Sequence, residues 1–245
     1  MSLVNPQSLE RLVPPELDLT DATGLETYGL HRARYEFAAE HVLSGRVLDI
    51  ACGVGYGSRI VADRRADVSV VLGVDVAPEA IAYARGHYEN ARVHFVVGDA
   101  TEFRSAEPFD SIVSLETIEH VRDPEGFFCT VLHSLRPGGV FVASVPITPS
   151  VDANPHHLHD FTAKSFRRLG EKNGLMEVAC LPQIQAFHPL RVANRTEKRM
   201  ADMRGNLLGY YIRHPGAALK RAASTLIHGF NNKYVTIVWK KQPRV

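Results

Sequence analysis

Five short apolar runs, each ended by glycine or an acidic residue, constrain the fold of this chain more than any other feature. They are RVLDIA (46–51), VSVVLGVDV (68–76), ARVHFVVGD (91–99), FDSIVSLE (109–116) and GGVFVASVP (138–146). Runs of this kind show no polar alternate face, so both faces of each strand must be covered. Helical stretches lie between them. Pro78 stands where a first helical turn tolerates proline, and Phe127, Phe128, Val131, Leu132 and Leu135 share one helix face. Buried strands alternating with helices specify an α/β fold with a doubly wound, parallel sheet. Ahead of the first strand, Tyr35, Ala38, Ala39 and Val42 form the stripe of an amphipathic helix closed by Gly45. Residues 1–24, with Pro6, Pro14 and Pro15, read as an irregular arm.

After the fifth strand the rhythm changes. Thr162 is the predicted N-cap of a helix over AKSFRRLGEKNG, which Gly174 ends. LMEVACLPQIQAF (175–187) has strand character, a helix after Pro215 carries Leu219, Ala223 and Leu226, and KYVTIVWKK (233–241) is a last strand. Residues 1–245 therefore read as a single domain with an insertion at 188–232. From His188 to Asn232 eight Lys or Arg stand against Glu197 and Asp202, a net +6 in a chain of net +1. The remainder carries −5, and the asymmetry predicts a local surface for anions or a solvated basic helix face.

No apolar run reaches the roughly 18 residues that span a bilayer, and the N-terminus lacks the charged and apolar regions of a secretory signal. Cys52, Cys129 and Cys180 are odd in number and have no CxxC spacing, which argues against a disulfide framework or a zinc site. The expected setting is reducing and cytoplasmic.

Gly53, Gly55 and Gly57 fall at the first strand-to-helix turn, where glycine lets a backbone approach a ligand and a helix N-terminus favours an anionic group. Asp75 ends the second strand about twenty residues on, where a carboxylate can accept both ribose hydroxyls. Asp99 ends the third, within reach of an exocyclic adenine amine. Asp49 lies just before the glycines. A dinucleotide enzyme would want a pyrophosphate clamp of G-x-G-x-x-G form, and here the sixth position is Ser58. An adenosine ligand without phosphates, with a charged tail near Asp49, fits better.

This series resembles the class I S-adenosylmethionine-dependent methyltransferases over roughly residues 30–187 and the last strand. The resemblance implies a Rossmann-like seven-stranded sheet whose last strand is antiparallel and inserts beside the fifth. It also implies a S-adenosyl-L-methionine cofactor with Asp75 and Val76 at the ribose, Asp99 and Ala100 at the adenine, and Asp49, Gly53, Gly55 and Glu116 nearer the methionine moiety. LHRARY (30–35) is similar to an N-terminal helix motif of relatives, which brings His31, Arg34 and Tyr35 towards the cofactor carboxylate.

The stretch LETIEHV (115–121) sits where that family places its methyl acceptor. It lacks the Asn-Pro-Pro-Tyr loop of planar-amine methylation, and the chain lacks the Pro-Cys pair of cytosine methylation, so DNA is not the expected partner. Its Glu-x-x-Glu-His pattern resembles the ubiquinone-biosynthesis O-methyltransferases and the small-RNA 2′-O-methyltransferases. By the second resemblance Glu116, Glu119, His120 and a later histidine, His157, would ligate Mg²⁺ or another divalent cation. Without a metal, His157 or His120 is the expected general base, with Glu116 framing the pocket. His156 and His159 are further acceptor-side candidates. Arg191 and Arg195, with Lys198 and Arg199, are candidates for an anionic acceptor. The expected activity is O-methylation of a small-molecule or sugar-linked hydroxyl. N-methylation, methylation of an RNA 3′ end (disfavoured by the modest charge) and a non-catalytic cofactor sensor are the alternatives.

Overall fold

The structure, a computed structural model, describes residues 22–186 and 204–242. Most of the predicted arm, and Arg191, Arg195, Lys198 and Arg199, lie outside the described residues. Helix α1 (Ala22–His41) lays Tyr35, Ala38, Ala39 and Val42 into the core as its apolar stripe requires. It stops at His41, short of the predicted Gly45. That glycine opens the first strand with φ of 104°, and the Asp110 carboxylate occupies the space its Cβ would need.

The elements that follow are β1 (Gly45–Ile50), α2 (Tyr56–Arg64), β2 (Val68–Asp75), α3 (Pro78–Tyr88), β3 (Val93–Val97) and β4 (Phe109–Leu115). A short 3-10 turn (Ile118–His120) then leads to α4 (Pro124–Ser134), β5 (Leu135–Pro146), α5 (Ala163–Lys172) and β6 (Leu175–Ala186). Helices α6 (Leu207–Arg213) and α7 (Pro215–His228) fall within the predicted insertion, and β7 (Asn231–Lys241) closes the sheet.

The seven strands run in the order β3-β2-β1-β4-β5-β7-β6. Neighbours from β3 through β5 pair parallel, and β7 is antiparallel to both β5 and β6. The expected fold, including the antiparallel last strand beside the fifth, is what the chain adopts. Strand order reverses between β1 and β4, which opens a crevice beyond their carboxyl ends.

Each sheet face carries its own core. One gathers Tyr35, Val61, Ile81 and Phe95 under α1, α2 and α3. The other gathers Leu48, Phe127, Phe141 and Trp239 under α4 and α5. Trp239 is fully buried, stacked on Phe141 at 5.8 Å and edge-on to Phe166 at 4.9 Å. Gly170 of α5 exists for that ring, since a Cβ there would lie 2.7 Å from it. Truncating such an anchor costs about 3–5 kcal/mol. The Thr162 cap forms as expected, accepting from the Ser165 N–H in a reciprocal box.

Candidate active site

A cavity of about 680 Å³ occupies the crevice over β1 and β4. Its two ends are built differently.

At the first end, the loop after β1 turns through left-handed backbone at Ala51 (φ 62°), Gly53 (φ 57°) and Gly55 (φ 86°). The three glycines have separate jobs. A Cβ on Gly55 would meet Ala84 and Phe95, and one on Gly57 would meet the Tyr35 ring, so both glycines serve packing. Gly53 alone has open space where a Cβ would point, and it lines the cavity. Asp75 fixes this loop: one carboxylate oxygen accepts from the Gly53 N–H and the other from the Ala77 N–H, each at 2.9 Å. Val76, Asp99 and Ala100 line the same end. The Asp99 carboxylate accepts from the backbone and hydroxyl of Thr101, which fixes its rotamer at the strand end.

Asp49 is not among the lining residues. It lies beneath the loop, 1% exposed, accepting from Ser58 Oγ at 2.6 Å and from the Tyr35 hydroxyl at 3.3 Å. Burial pushes its carboxyl up to about 7; the Ser58 and Tyr35 hydrogen bonds oppose the rise, and the nearby Asp75 adds to it. Tyr35 is itself raised well above its usual value by burial, with Asp49 adding to the effect. The structure thus makes Asp49 a strut that joins α1 to α2 under the loop.

The middle of the cavity is held by Glu116, which takes left-handed backbone at φ 52°. Its N–H points to Ser144, and Ser144 Oγ donates to its carboxylate at 2.8 Å. Arg34, 1% exposed, lies 3.5 Å from the same carboxylate, donates to Gln183 at 2.7 Å and sits over the Tyr234 ring at 4.3 Å. His31 lines the cavity one turn earlier on α1.

At the second end, the 3-10 turn after β4 brings Glu119 and His120 against His157 of the loop after β5. Their ligating atoms all lie within 4.8 Å of one another, and Glu119 is fully buried. Leu158 and His159 donate backbone N–H groups to the Glu119 carbonyl, which ties the two segments together. His120 Nδ1 meets the His156 carbonyl at 3.2 Å, and His157 Nδ1 meets Ser150 Oγ at 2.7 Å. The two rings stand edge to face at 4.7 Å. Of the four proposed metal residues, three are brought together, while Glu116 sits apart with Ser144 and Arg34. His156 and His159 fall outside the lining; His159 Nε2 turns to the Val121 carbonyl.

Helices α6 and α7 form a lid over this end, with Leu207, Tyr211, Arg221, Ser224 and Thr225 facing inward. Two aspartates hold the lid. Asp152, nearly buried, accepts from Arg221 at 2.5 and 2.8 Å and from the Tyr211 hydroxyl at 2.5 Å. Asp160 accepts from Lys220 at 2.6 Å and from the Ser150 and Val151 N–H groups. Burial alone would raise the Asp160 carboxyl. Lys220 and the two N–H groups outweigh burial and hold it below the usual carboxylate value. Lys220 and Arg221 of the insertion are thus engaged by the chain itself. Sequence reasoning missed Ser144, Asp152 and Tyr234, whose partners are distant in the chain, and Ser150, whose partner His157 lies seven positions on in a loop without periodicity.

Known proteins share parts of this sequence and its fold. Residues 48–143 match the family described as Methyltransferase domain. A probable S-adenosylmethionine-dependent methyltransferase of Mycolicibacterium smegmatis is 32% identical over 59% of this chain and 57% of its own length. Ubiquinone biosynthesis O-methyltransferase of Xylella fastidiosa (strain 9a5c) is 37% identical over 48% of this chain and 50% of its own. The chain thus spans about half the length of these curated relatives. Among solved structures, N-methyltransferase NodS of Bradyrhizobium japonicum, in complex with S-adenosyl-L-homocysteine, superposes with a TM-score of 0.60 at 16% identity. The likeness covers 99% of this chain and 95% of that one. Domain match, sheet order and structural likeness together make this chain a bearer of the class I S-adenosylmethionine-dependent methyltransferase fold. Among the described residues no helix is long and apolar enough to cross a membrane.

Proposed function

We propose that the protein transfers a methyl group from S-adenosylmethionine to a hydroxyl of a small-molecule acceptor. The observation that carries this reading is the continuity of one cavity from Asp75 and Asp99 to Glu119, His120 and His157. The cofactor supplies an electrophilic methyl on a sulfonium, whose displacement requires no covalent enzyme intermediate. Alignment of acceptor and cofactor and exclusion of water carry most of the rate, and the lid and the Gly53 turn serve those ends. In the absence of a metal ion His157 is the base for the acceptor proton: its Nδ1 lies 2.7 Å from Ser150 Oγ, and the tautomer protonated there would leave Nε2 to take that proton. Glu119, His120 and His157 offer one oxygen and two imidazole nitrogens, a donor set that fits a divalent ion. Such an ion would lower the pKa of an acceptor hydroxyl. That same cluster favours a second reading, methylation of an RNA 3′ hydroxyl.

The first test is calorimetric titration of the full chain with S-adenosylhomocysteine. Binding is expected, with a loss of about 100-fold in Asp75→Ala because two charge-assisted hydrogen bonds to the loop vanish. Failure of the unaltered protein to bind sinks the reading. Labelled methyl transfer is then followed over a panel of hydroxyl, amine and RNA acceptors. Glu119→Ala, His157→Ala and chelation are each compared with the untreated enzyme. Rates unchanged in all three remove both metal and base from the acceptor end.

A further inference from the structure

The second end of the cavity is rich in polar groups that carry no charge. Asn154, Gln185, Asn231 and Asn232 line it with carboxamides, and Ser224 and Thr225 of α7 line it with hydroxyls. Both kinds of group donate as well as accept, as an alcohol does. Gln185 is 1% exposed, and its amide is oriented by Nε2 donating to Thr27 at 2.9 Å and Oε1 accepting from the Tyr234 hydroxyl at 3.3 Å. Tyr211 and Phe230 add ring surface on which C–H faces can pack.

The charges of the lining are already matched within the chain. Among the described residues two arginines reach the cavity, and each meets a carboxylate. Arg34 lies 3.5 Å from Glu116, and Arg221 donates twice to Asp152. Lys220, beside Arg221, turns to Asp160, so two of the cations that give residues 188–232 their +6 serve the lid and not the acceptor. Glu119 faces His120 and His157.

We propose that the acceptor is a neutral, polyhydroxylated molecule, a sugar or a comparable polyol, held by these carboxamides and hydroxyls. The inference rests on the methyl-transfer reading above and narrows its acceptor class. A phosphate or carboxylate on the acceptor would have to break one of the ion pairs or stand unpaired in an enclosed place. A protonated amine would stand beside the sulfonium charge of the cofactor. An apolar acceptor would strip water from the amides and hydroxyls without replacing its hydrogen bonds. A polyol does replace them. The cavity of about 680 Å³ also has to hold the cofactor, so the enclosed part of the acceptor is a small unit such as a single ring.

The test is labelled methyl transfer from S-adenosylmethionine by the full chain to matched acceptors. The neutral set is monosaccharides and methyl glycosides of the gluco, galacto and manno series. The charged set is their 6-phosphates, uronates and 2-amino analogues, with a short ribo-oligonucleotide. Turnover is expected on a neutral member, with kcat/KM above that of its charged counterparts by about tenfold or more. Ser224→Ala combined with Thr225→Val should raise KM for that member by about tenfold, because two hydrogen bonds to the acceptor vanish. Its kcat and S-adenosylhomocysteine affinity should stay close to the parent's, which shows that the variant folds. Preference for a phosphate, uronate, amine or RNA acceptor overturns the proposal while upholding methyl transfer. An unchanged KM in the double variant overturns it too, as does a lack of turnover on every neutral member by protein that binds S-adenosylhomocysteine. Failure to bind S-adenosylhomocysteine defeats the methyl-transfer reading itself.

Discussion

The two ends of the cavity differ in how they are held. The end at β1, β2 and β3 is made of strand termini and one glycine turn, all pinned by backbone N–H groups to the Asp75 and Asp99 carboxylates. The end at β4 and β5 is made of loops and a lid, joined by side-chain bridges between residues 60 and 69 positions apart. The first is fixed by the sheet, whereas the second depends on a few ion pairs that can be removed singly. A site divided in this way keeps the geometry of its first end constant while the second is free to open.

The largest expected effect tests how tightly the first end is built. The rise of Asp49 from 3.8 to about 7 corresponds to roughly 4 kcal/mol. In the unfolded chain this carboxyl ionises near 3.8, and in the fold it keeps its proton until about 7. Its contribution is therefore most favourable below the lower value, declines as pH rises between the two, and is flat above. Asp49→Asn should abolish that slope. The stability difference between variant and parent, read from urea melts at pH 5 and pH 8, should grow in the variant's favour. An equal difference at both values would mean that the carboxyl is ionised in the fold.

The second end should yield without disturbing the first. Arg221→Met leaves the Asp152 carboxylate with Tyr211 as its remaining side-chain partner in a nearly buried place, a loss of about 3 kcal/mol. Hydrogen exchange across 207–228 should quicken by about 100-fold, with S-adenosylhomocysteine affinity within twofold of the parent. A parallel loss of cofactor affinity would erase the distinction between the two ends.

The smallest effect concerns Asp160. Its lowered value means that its stabilisation is present above the unfolded pKa near 4 and is lost as pH falls through the folded one. Because Lys220 is half exposed, solvent screens the pair and the effect stays near 1 kcal/mol. Protection in α7, the exchange rate relative to that of an unstructured amide at the same pH, should therefore fall below about pH 4. Lys220→Met should show much of that loss of protection already at neutral pH.

The division between the ends also decides what could be read from the sequence. Strands β1 to β5 and the acids that end β2 and β3 announce themselves locally, because period and termination are properties of neighbouring residues. The separate duties of Gly53, Gly55 and Gly57 were hidden, since Tyr35 and Phe95 arrive from other elements. Glu116 was visible as an odd charge at a strand mouth, but its partners Ser144 and Arg34 stand 28 positions later and 82 earlier. The Leu219–Leu226 stripe shows that a helix has an apolar side without showing which way that side turns. The basic segment that reads as a local surface for anions includes Lys220 and Arg221, which the structure commits to aspartates of the loop after β5.

That loop has a consequence for how such a protein can diversify. Among the described contacts, Asp152 and Asp160, with nearby carbonyls that accept from Arg204 and Arg221, are the socket on which the lid rests. The plug needs only a few cations and a tyrosine at the right places along two helices. A different hairpin with the same studs would seat on the same socket, so a new acceptor could be accommodated by exchanging one cassette between β6 and β7 while the sheet and its glycine turn are inherited unchanged.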